Sequence, residues 1–377
     1  MSAATLPEVQ VVAANRCAAC PKMCRSACPT LAVTANERHQ PWGHARSVVA
    51  ALGTPGGFAE PATVAAAYAC ATCGACTVPC QVRGVETPEL SWAVRAAVFD
   101  AGATPAAGLR AVAEAVAGRV PSGEAPPAWT DPAATVAELR GMSTPGADLL
   151  LFPGCGALGR RPGAAIAAGR ALRALGIAFT VLDGHQCCGA VARNFGDTAT
   201  VAAMAGRLTG AIAATGARRV AVQSPSCAHL LAHRAPPDGA AVVPLAEVLA
   251  EALASTPTRA AGARVAYHDP CFLARHLDCT APPRAALAAT GHEVVELRGH
   301  GATTACSGGG GGLPLTHPEI ADGYRDRLAA HVAEAAAAGA GALVTGCATC
   351  AARLAGAAPL PVLELAEACA AALEARR

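Results

Sequence analysis

Cys70-Ala71-Thr72-Cys73-Gly74-Ala75-Cys76-Thr77-Val78-Pro79-Cys80 sets four cysteines at the spacing C-x2-C-x2-C-x3-C. Three close thiolates at this spacing grip three irons of one [4Fe–4S] cubane, and the fourth cysteine normally ligates the other cluster of a pair. The run therefore needs a partner. Cys17, Cys20, Cys24 and Cys28 supply it upstream, followed by Pro29, with one extra residue between the second and third cysteines. Zinc is the competing occupant, but zinc sites take their ligands as two separated C-x2-C pairs, which two compact four-cysteine runs fit poorly. By exchange of fourth cysteines, one cluster takes Cys17, Cys20, Cys24 and Cys80, and the other takes Cys70, Cys73, Cys76 and Cys28.

The residues around these runs read as helical. Between Cys28 and Cys70, His44–Leu52 and Pro61–Tyr68 are Ala/Val-rich segments broken by Gly53, Pro55, Gly56 and Gly57. After Cys80, Pro88–Ala101 and Ala106–Val120 have the same pattern, and residues 1–16 read as a short lead-in. Trp42 and Trp92 are expected in the core. Arg16, Lys22 and Arg25 surround the first run. They are either solvated charges or cations that offset the negative charge of a cluster, and the sequence leaves both open. Residues 1–120 thus form an all-helical two-cluster domain. Residues 121–147 are rich in Pro and Gly and read as a linker with one short helix at Ala133–Arg140.

With 377 residues the chain has room for two or three domains, each with its own core. Lys+Arg 29 against Asp+Glu 27 leaves a formal charge of +2, and aromatics are 3%. That balance argues against a nucleic-acid partner. The Ala-rich runs are too short and too interrupted by glycine to span a bilayer. Met1–Asn15 lacks the basic-then-apolar pattern of a secretory signal. Eighteen clustered cysteines in such a chain point to metal or redox chemistry in a reducing compartment rather than to disulfides, and the expected location is cytoplasmic.

From Asp148 the chain repeats itself. Residues 148–260 run strand, Cys155, helix, strand Ile177–Leu182, Cys187-Cys188, helix, strand Arg219–Gln223, Cys227. Residues 261–377 run strand, Cys271, helix, strand His292–Leu297, Cys306, helix, strand Ala342–Thr345, Cys347-x2-Cys350. The corresponding cysteines are offset by 116, 119 and 120 residues, which marks an internal duplication. Strand–helix alternation implies small parallel α/β units with the cysteines gathered beyond the carboxyl ends of strands. The fold class is α+β multidomain: an all-helical ferredoxin-like domain followed by a duplicated small parallel α/β domain. Gly308–Gly312 lacks the Lys-Ser/Thr of a phosphate loop and reads as a close-approach loop. No flavin or nicotinamide fingerprint is present.

Cys155…Cys187-Cys188-Gly189…Cys227 and Cys271…Cys306-Ser307-Gly308…Cys347-x2-Cys350 resemble the duplicated CCG domain of the heterodisulfide reductase family. That family includes heterodisulfide reductase B and D subunits and the iron–sulfur subunits of glycolate, lactate and glycerol-3-phosphate oxidising enzymes. His268-Asp269-Pro270-Cys271 and the two N-terminal cysteine runs fit the same resemblance. A full CCG motif has five cysteines, and here Leu230 and Ser307 each replace one. Four thiolates per site suit one or two further Fe–S clusters or zinc, not the non-cubane clusters that work on disulfides. His185, His229, His268, His276 and Cys279 flank these sites as alternative ligands or supporting donors. Cys369 and Cys279 read as buried small hydrophobes.

The resemblance implies a non-catalytic electron-transfer subunit. Its partner would be an FAD- or FMN-dependent dehydrogenase or oxidase, such as a hydroxy-acid oxidase or amine demethylase. Electrons would leave to another carrier, an electron-transfer flavoprotein or quinone, with membrane association through a partner. The alternatives are a catalytic thiol–disulfide reductase and a CCG-like site that holds structural zinc.

Overall fold

The computed structural model describes residues 5–117, 132–255 and 263–375. Residues 118–131 and the expected boundary between 260 and 261 lie outside the described residues. Two compact units emerge. The first contains residues 1–125 together with 189–202 and 305–326, and the second contains 126–188, 203–304 and 327–377. Two pieces of the α/β half, one immediately after Cys188 and one containing Cys306, thus group with the N-terminal helices.

The described part of the first unit is helical. Helices Pro29–Thr34, Pro41–Leu52 and Pro61–Tyr68 open on proline, and Thr87–Asp100 has Pro88 in its first turn. Proline fits there because its φ is already helical and its missing N–H would have had no partner. In Thr87–Asp100 the residues Leu90, Val94, Ala97 and Val98 follow helical periodicity and are all buried. They join Ala13, Ala14, Val48, Phe58, Tyr68 and Val112 in one apolar cluster. Phe195 from the second piece is fully buried there and stacks on Tyr68 at 5.8 Å. A Cβ on Gly108 would meet the Phe195 ring at 2.2 Å, so only glycine admits this packing.

The lead-in differs from expectation. Glu8–Ala18 is a helix that begins after Pro7 and buries Ala13, Ala14 and Cys17. Its buried face is made of alanine, which gives little hydrophobic contrast in the sequence. Trp92 is buried as expected and donates its indole N–H to Asn194 Oδ1 at 3.1 Å. Trp42 is half-buried, with the Lys22 ammonium 3.9 Å from its ring centroid.

The second unit holds two parallel sheets. Strands β1 (Leu149–Phe152), β2 (Arg219–Val222) and β3 (Ala241–Pro244) lie in the order β1-β2-β3. Strands β4 (Arg264–His268), β5 (Glu293–Glu296), β6 (Ala342–Thr345) and β7 (Val362–Glu364) lie in the order β5-β4-β6-β7. The expected strand at Ile177–Leu182 is reduced to one bridge, Leu150 with Thr180. The Phe179 carbonyl instead accepts the Thr144 N–H at 2.7 Å, which ends the ladder. With that bridge counted as an edge, the two sheets have the same order.

Leu151, Leu172, Leu249, Val265, Tyr267, Val344 and Leu373 belong to one buried cluster that serves both sheets. A polar pair crosses it. Gln223 donates its amide to Glu364 Oε2 at 3.0 Å and to the Ala164 carbonyl. Burial pushes the Glu364 carboxyl up to about 8. Cys279 and Cys369 are buried as expected, and burial pushes both thiols up to about 12. The expected linker helix is present as Pro132–Met142.

Candidate metal centres

The N-terminal cysteines fall into two groups, each drawn from both runs. Cys17 lies in the last turn of the Glu8–Ala18 helix, and Cys24 sits in a single 3-10 turn, Met23–Ser26. Burial first, then Cys20, Cys24 and Cys80, push the Cys17 thiol up to about 12. Burial also raises Cys24, with Cys20 and Cys80 adding to it. Cys17 and Cys24 are thus each within electrostatic reach of both Cys20 and Cys80. Cys20 and Cys80 are only partly buried.

The other group is deeper. Cys28, Cys70, Cys73 and Cys76 line one cavity, together with Thr72, Gly74, His44 and Tyr324. Burial first, then Cys70 and Cys73, push the Cys28 thiol up to about 12. Cys76 is raised well above its ordinary value by burial, then by Cys73 and Cys70. Thiols that raise one another in this way release their protons readily only to a cation. The Thr72 N–H lies 3.3 Å from Cys70 Sγ, and the Ser91 hydroxyl lies 3.7 Å from it.

Two features of this deeper pocket, Arg95 and Tyr324, escaped the sequence, and a third, the close approach of the glycine run, was expected. Arg95 is 0% exposed. Its guanidinium donates to the carbonyls of Cys70 at 2.6 Å, Gly311 at 2.8 Å, Ala67 at 3.0 Å and Asn194 at 3.2 Å. Tyr324 shares a hydrogen bond with the Thr30 hydroxyl, and Cys73, Cys28, Cys306 and Cys70 all act on its phenol. The glycine run 308–312 approaches the Cys70–Ala71 backbone as a close-approach loop. A Cβ on Gly311 would lie 2.6 Å from the Cys70 carbonyl oxygen. The signal for Arg95 was present: Ser91 and Arg95 form an i, i+4 pair beside the buried Leu90–Val94 stripe.

In the second unit, cysteines follow the carboxyl ends of parallel strands, as expected. Cys155 follows β1, Cys227 follows β2, Cys271 follows β4 and Cys347 follows β6. Cys155 and Cys271 each precede a five-residue π-helical turn, Gly156–Arg160 and Phe272–His276. Cys155, Cys187, Cys188 and Cys227 come together. Cys188 and Cys227 sulfurs are 3.1 Å apart, and Cys155 is raised by a hydrogen bond with Cys187 and then by burial. Gly154 is pressed against Ser224 and Cys227 Sγ. Cys347 is lowered by a hydrogen bond with Cys350. Cys306 belongs to the first unit, where its sulfur is 3.4 Å from the Gly308 N–H. Among the described residues, no three His, Cys, Asp or Glu side chains converge tightly enough to share a single ion.

The flanking residues are structural in their contacts. His268 Nδ1 is 3.0 Å from the Thr345 hydroxyl. Asp269, 2% exposed, makes a bidentate pair with Arg284 at 2.8 Å and accepts the Gly301 N–H at 2.7 Å. His229 packs its ring against His233, His276 and Phe272. Leu230 and Ser307, where the full motif has cysteines, are buried at 1% and 2% exposure.

Residues 149–232 and 265–355 match the cysteine-rich CCG domain, and residues 13–84 match the 4Fe-4S dicluster domain. A probable membrane-anchored ferredoxin of Chromohalobacter salexigens is 29% identical over 81% of this chain and 48% of its own length. The D subunit of the dihydromethanophenazine:CoB--CoM heterodisulfide reductase of Methanosarcina acetivorans is 28% identical over 67% of this chain and 64% of its own. The B subunit of the fumarate reductase (CoM/CoB) of Methanothermobacter marburgensis is 32% identical over 47% of this chain and 36% of its own. The chain spans less than two thirds of each of these relatives. The chain carries a 4Fe-4S dicluster domain and two cysteine-rich CCG domains, and its homologues include the D subunits of heterodisulfide reductases and related ferredoxins.

Proposed function

We propose that this chain is an iron–sulfur electron-transfer subunit that receives electrons from a flavoprotein dehydrogenase or oxidase and passes them to another carrier or to quinone. The observation that carries the reading is the division of eight N-terminal cysteines into two four-sulfur groups, each completed by a cysteine from the other run. Four soft thiolates lining one cavity fit a [4Fe–4S] cubane. Cys17, Cys20, Cys24 and Cys80 hold one such cluster, and Cys28, Cys70, Cys73 and Cys76 hold the other. Each supplies one-electron redox chemistry when bound.

The chain's own residues do the rest. Each group keeps two partly buried cysteines, Cys20 and Cys80 in one and Cys70 and Cys76 in the other, and two buried ones, so either can exchange electrons with a partner. Cys155, Cys187, Cys188 and Cys227 form a further four-thiolate set, and Cys271, Cys306, Cys347 and Cys350 are the corresponding residues of the second motif. The first set binds a further Fe–S cluster, with structural zinc as the alternative; the sequence pattern alone puts the second set forward for the same role. The matching sheet orders and the two π-helical turns support reading the CCG segments as a duplication. Leu230 and Ser307 remove the fifth thiolates, which favours electron transfer over disulfide reduction. The name of one relative, an EtfAB:quinone oxidoreductase of Syntrophomonas wolfei that is 29% identical over 44% of this chain, supports a quinone-linked route. No helix among the described residues is long and apolar enough to cross a membrane. Association with a membrane is assigned here to a partner.

An anaerobic iron, zinc and sulfide count with EPR of the reduced protein tests this. About sixteen irons without zinc support four cubanes at four irons each. About eight irons with one or two zincs assign the CCG sites to zinc. Fewer than about eight irons overturn the dicluster reading.

A further inference from the structure

A buried charge needs a partner, because moving it out of water costs several kcal/mol that only an opposite charge and full hydrogen bonding offset. Arg95 meets the second condition and not the first. It is 0% exposed, and its four hydrogen bonds all go to neutral carbonyls, those of Ala67, Cys70, Asn194 and Gly311. The groups that act electrostatically on it are Cys70 and Tyr68, and among the described residues no carboxylate is paired with it. The Tyr68 ring lies 5.2 Å from the guanidinium, a cation–π contact that helps hold the charge. Arg95 thus brings a fixed positive charge to the Cys70 loop without an acidic side chain to neutralise it.

The carbonyls it binds come from three separate stretches. Ala67 and Cys70 flank the start of the second cysteine run, Asn194 ends the short helix Ala190–Asn194, and Gly311 lies in the glycine run. The planar fork of Arg, unlike the point charge of Lys, can reach several such oxygens at once. The group of sulfurs nearest this charge is also the more deeply buried of the two, and burial by itself disfavours adding an electron to an anionic centre.

We infer that Arg95 is a positioning residue and the built-in counter-charge of the cluster held by Cys28, Cys70, Cys73 and Cys76, keeping that buried cluster reducible. This rests on the dicluster reading above. The other group has exposed cations of its own, Arg16 and Arg25, nearby in sequence.

EPR-monitored redox titration of the full chain, with iron content measured on each sample, tests the role. Met23→Lys, at a 52% exposed position between Cys20 and Cys24, raises the potential of the surface cluster and so identifies its signal. Arg95→Gln lowers the reduction equilibrium of the other dicluster signal at least tenfold, about 59 mV for one electron, and leaves the surface signal unmoved. Arg95→Lys, which keeps the charge, stays within about threefold of wild type. If Arg95→Gln fails to take up iron, Arg95→Lys decides: loading with a near-wild-type potential supports the counter-charge, and failure to load or a tenfold fall overturns it. Arg95→Gln that loads fully with both potentials unchanged also overturns it. A wild-type protein that lacks the deeper signal refutes the dicluster reading, which is a different result from a signal that is present and indifferent to Arg95.

Discussion

Gly311→Ala should cost far more than an ordinary glycine-to-alanine change. Gly311 has φ +65°, so any side chain there incurs about 1 kcal/mol or more of backbone strain. Its new Cβ would also lie 2.6 Å from the Cys70 carbonyl oxygen, 2.7 Å from the Ala71 carbonyl carbon and 2.8 Å from the Ala71 Cα. These are backbone atoms that cannot rotate away, and overpacking of this kind adds about 1–3 kcal/mol. The total is about 2–4 kcal/mol. Gly102→Ala is the matched control, since Gly102 has φ +72° in the same unit and nothing within 4 Å of its Cβ position. It should lose about 1 kcal/mol only. Urea denaturation of both variants, followed by far-UV circular dichroism and by visible sulfur-to-iron absorbance, reads the difference. The Gly311 variant should also lose the signal of the deeper cluster first, because the displaced atoms carry Cys70. Equal midpoints for the two variants, within about 0.5 kcal/mol, would refute the close-approach role of the glycine run.

Cys80→Ser should damage the cluster of Cys17, Cys20 and Cys24 more than that of Cys70, Cys73 and Cys76; EPR showing the reverse would overturn the crossed grouping. Glu364 is held neutral in the folded chain, with its carboxyl at about 8 against an ordinary 4.5. The folded state therefore holds a proton that the unfolded state has released, and stability falls as pH rises from 4.5 to about 8. Thermal melts across that window should flatten in Glu364→Gln by a few kcal/mol, on the order of the shift. Asp269→Asn should destabilise by about 1–3 kcal/mol, because Arg284 loses its buried charged partner and keeps only the more exposed Glu296. Arg298→Ala, which breaks the exposed pair with Glu334, should cost less than about 1 kcal/mol, and melting curves that fail to rank the two in this order would refute the burial argument.

Much of the site was legible because metal ligation imposes spacing that survives in one dimension. The two runs and the crossed pairing of Cys28 with Cys70, Cys73 and Cys76 followed from counting residues, and the CCG motifs from a resemblance to a known family. Strand ends carried the same information, since a parallel sheet places its carboxyl termini on one side, and Cys155, Cys227, Cys271 and Cys347 fell there. What escaped were contacts between stretches far apart in sequence. Nothing in a string of letters says that Arg95 will meet Gly311, or that Phe195 will stack on Tyr68. The Glu8–Ala18 helix was missed because alanine on its buried face resembles alanine everywhere else in this composition. Ile177–Leu182 read as a full strand because periodicity cannot see the Thr144 N–H that takes the Phe179 carbonyl.

Residues 1–117 look detachable on paper, a module that a gene could lend to another protein with one cut. The units described here are not cut that way. The chain leaves the second unit directly after Cys188, returns to it after residue 202, leaves again at 305 and returns after 326. Excising the N-terminal block would strand Arg95 without Asn194 and Gly311 and empty the place of Phe195. A transplant that works must carry all three pieces. Recombination between relatives in this lineage is therefore expected to move the dicluster region and the CCG repeats together, as one inherited unit.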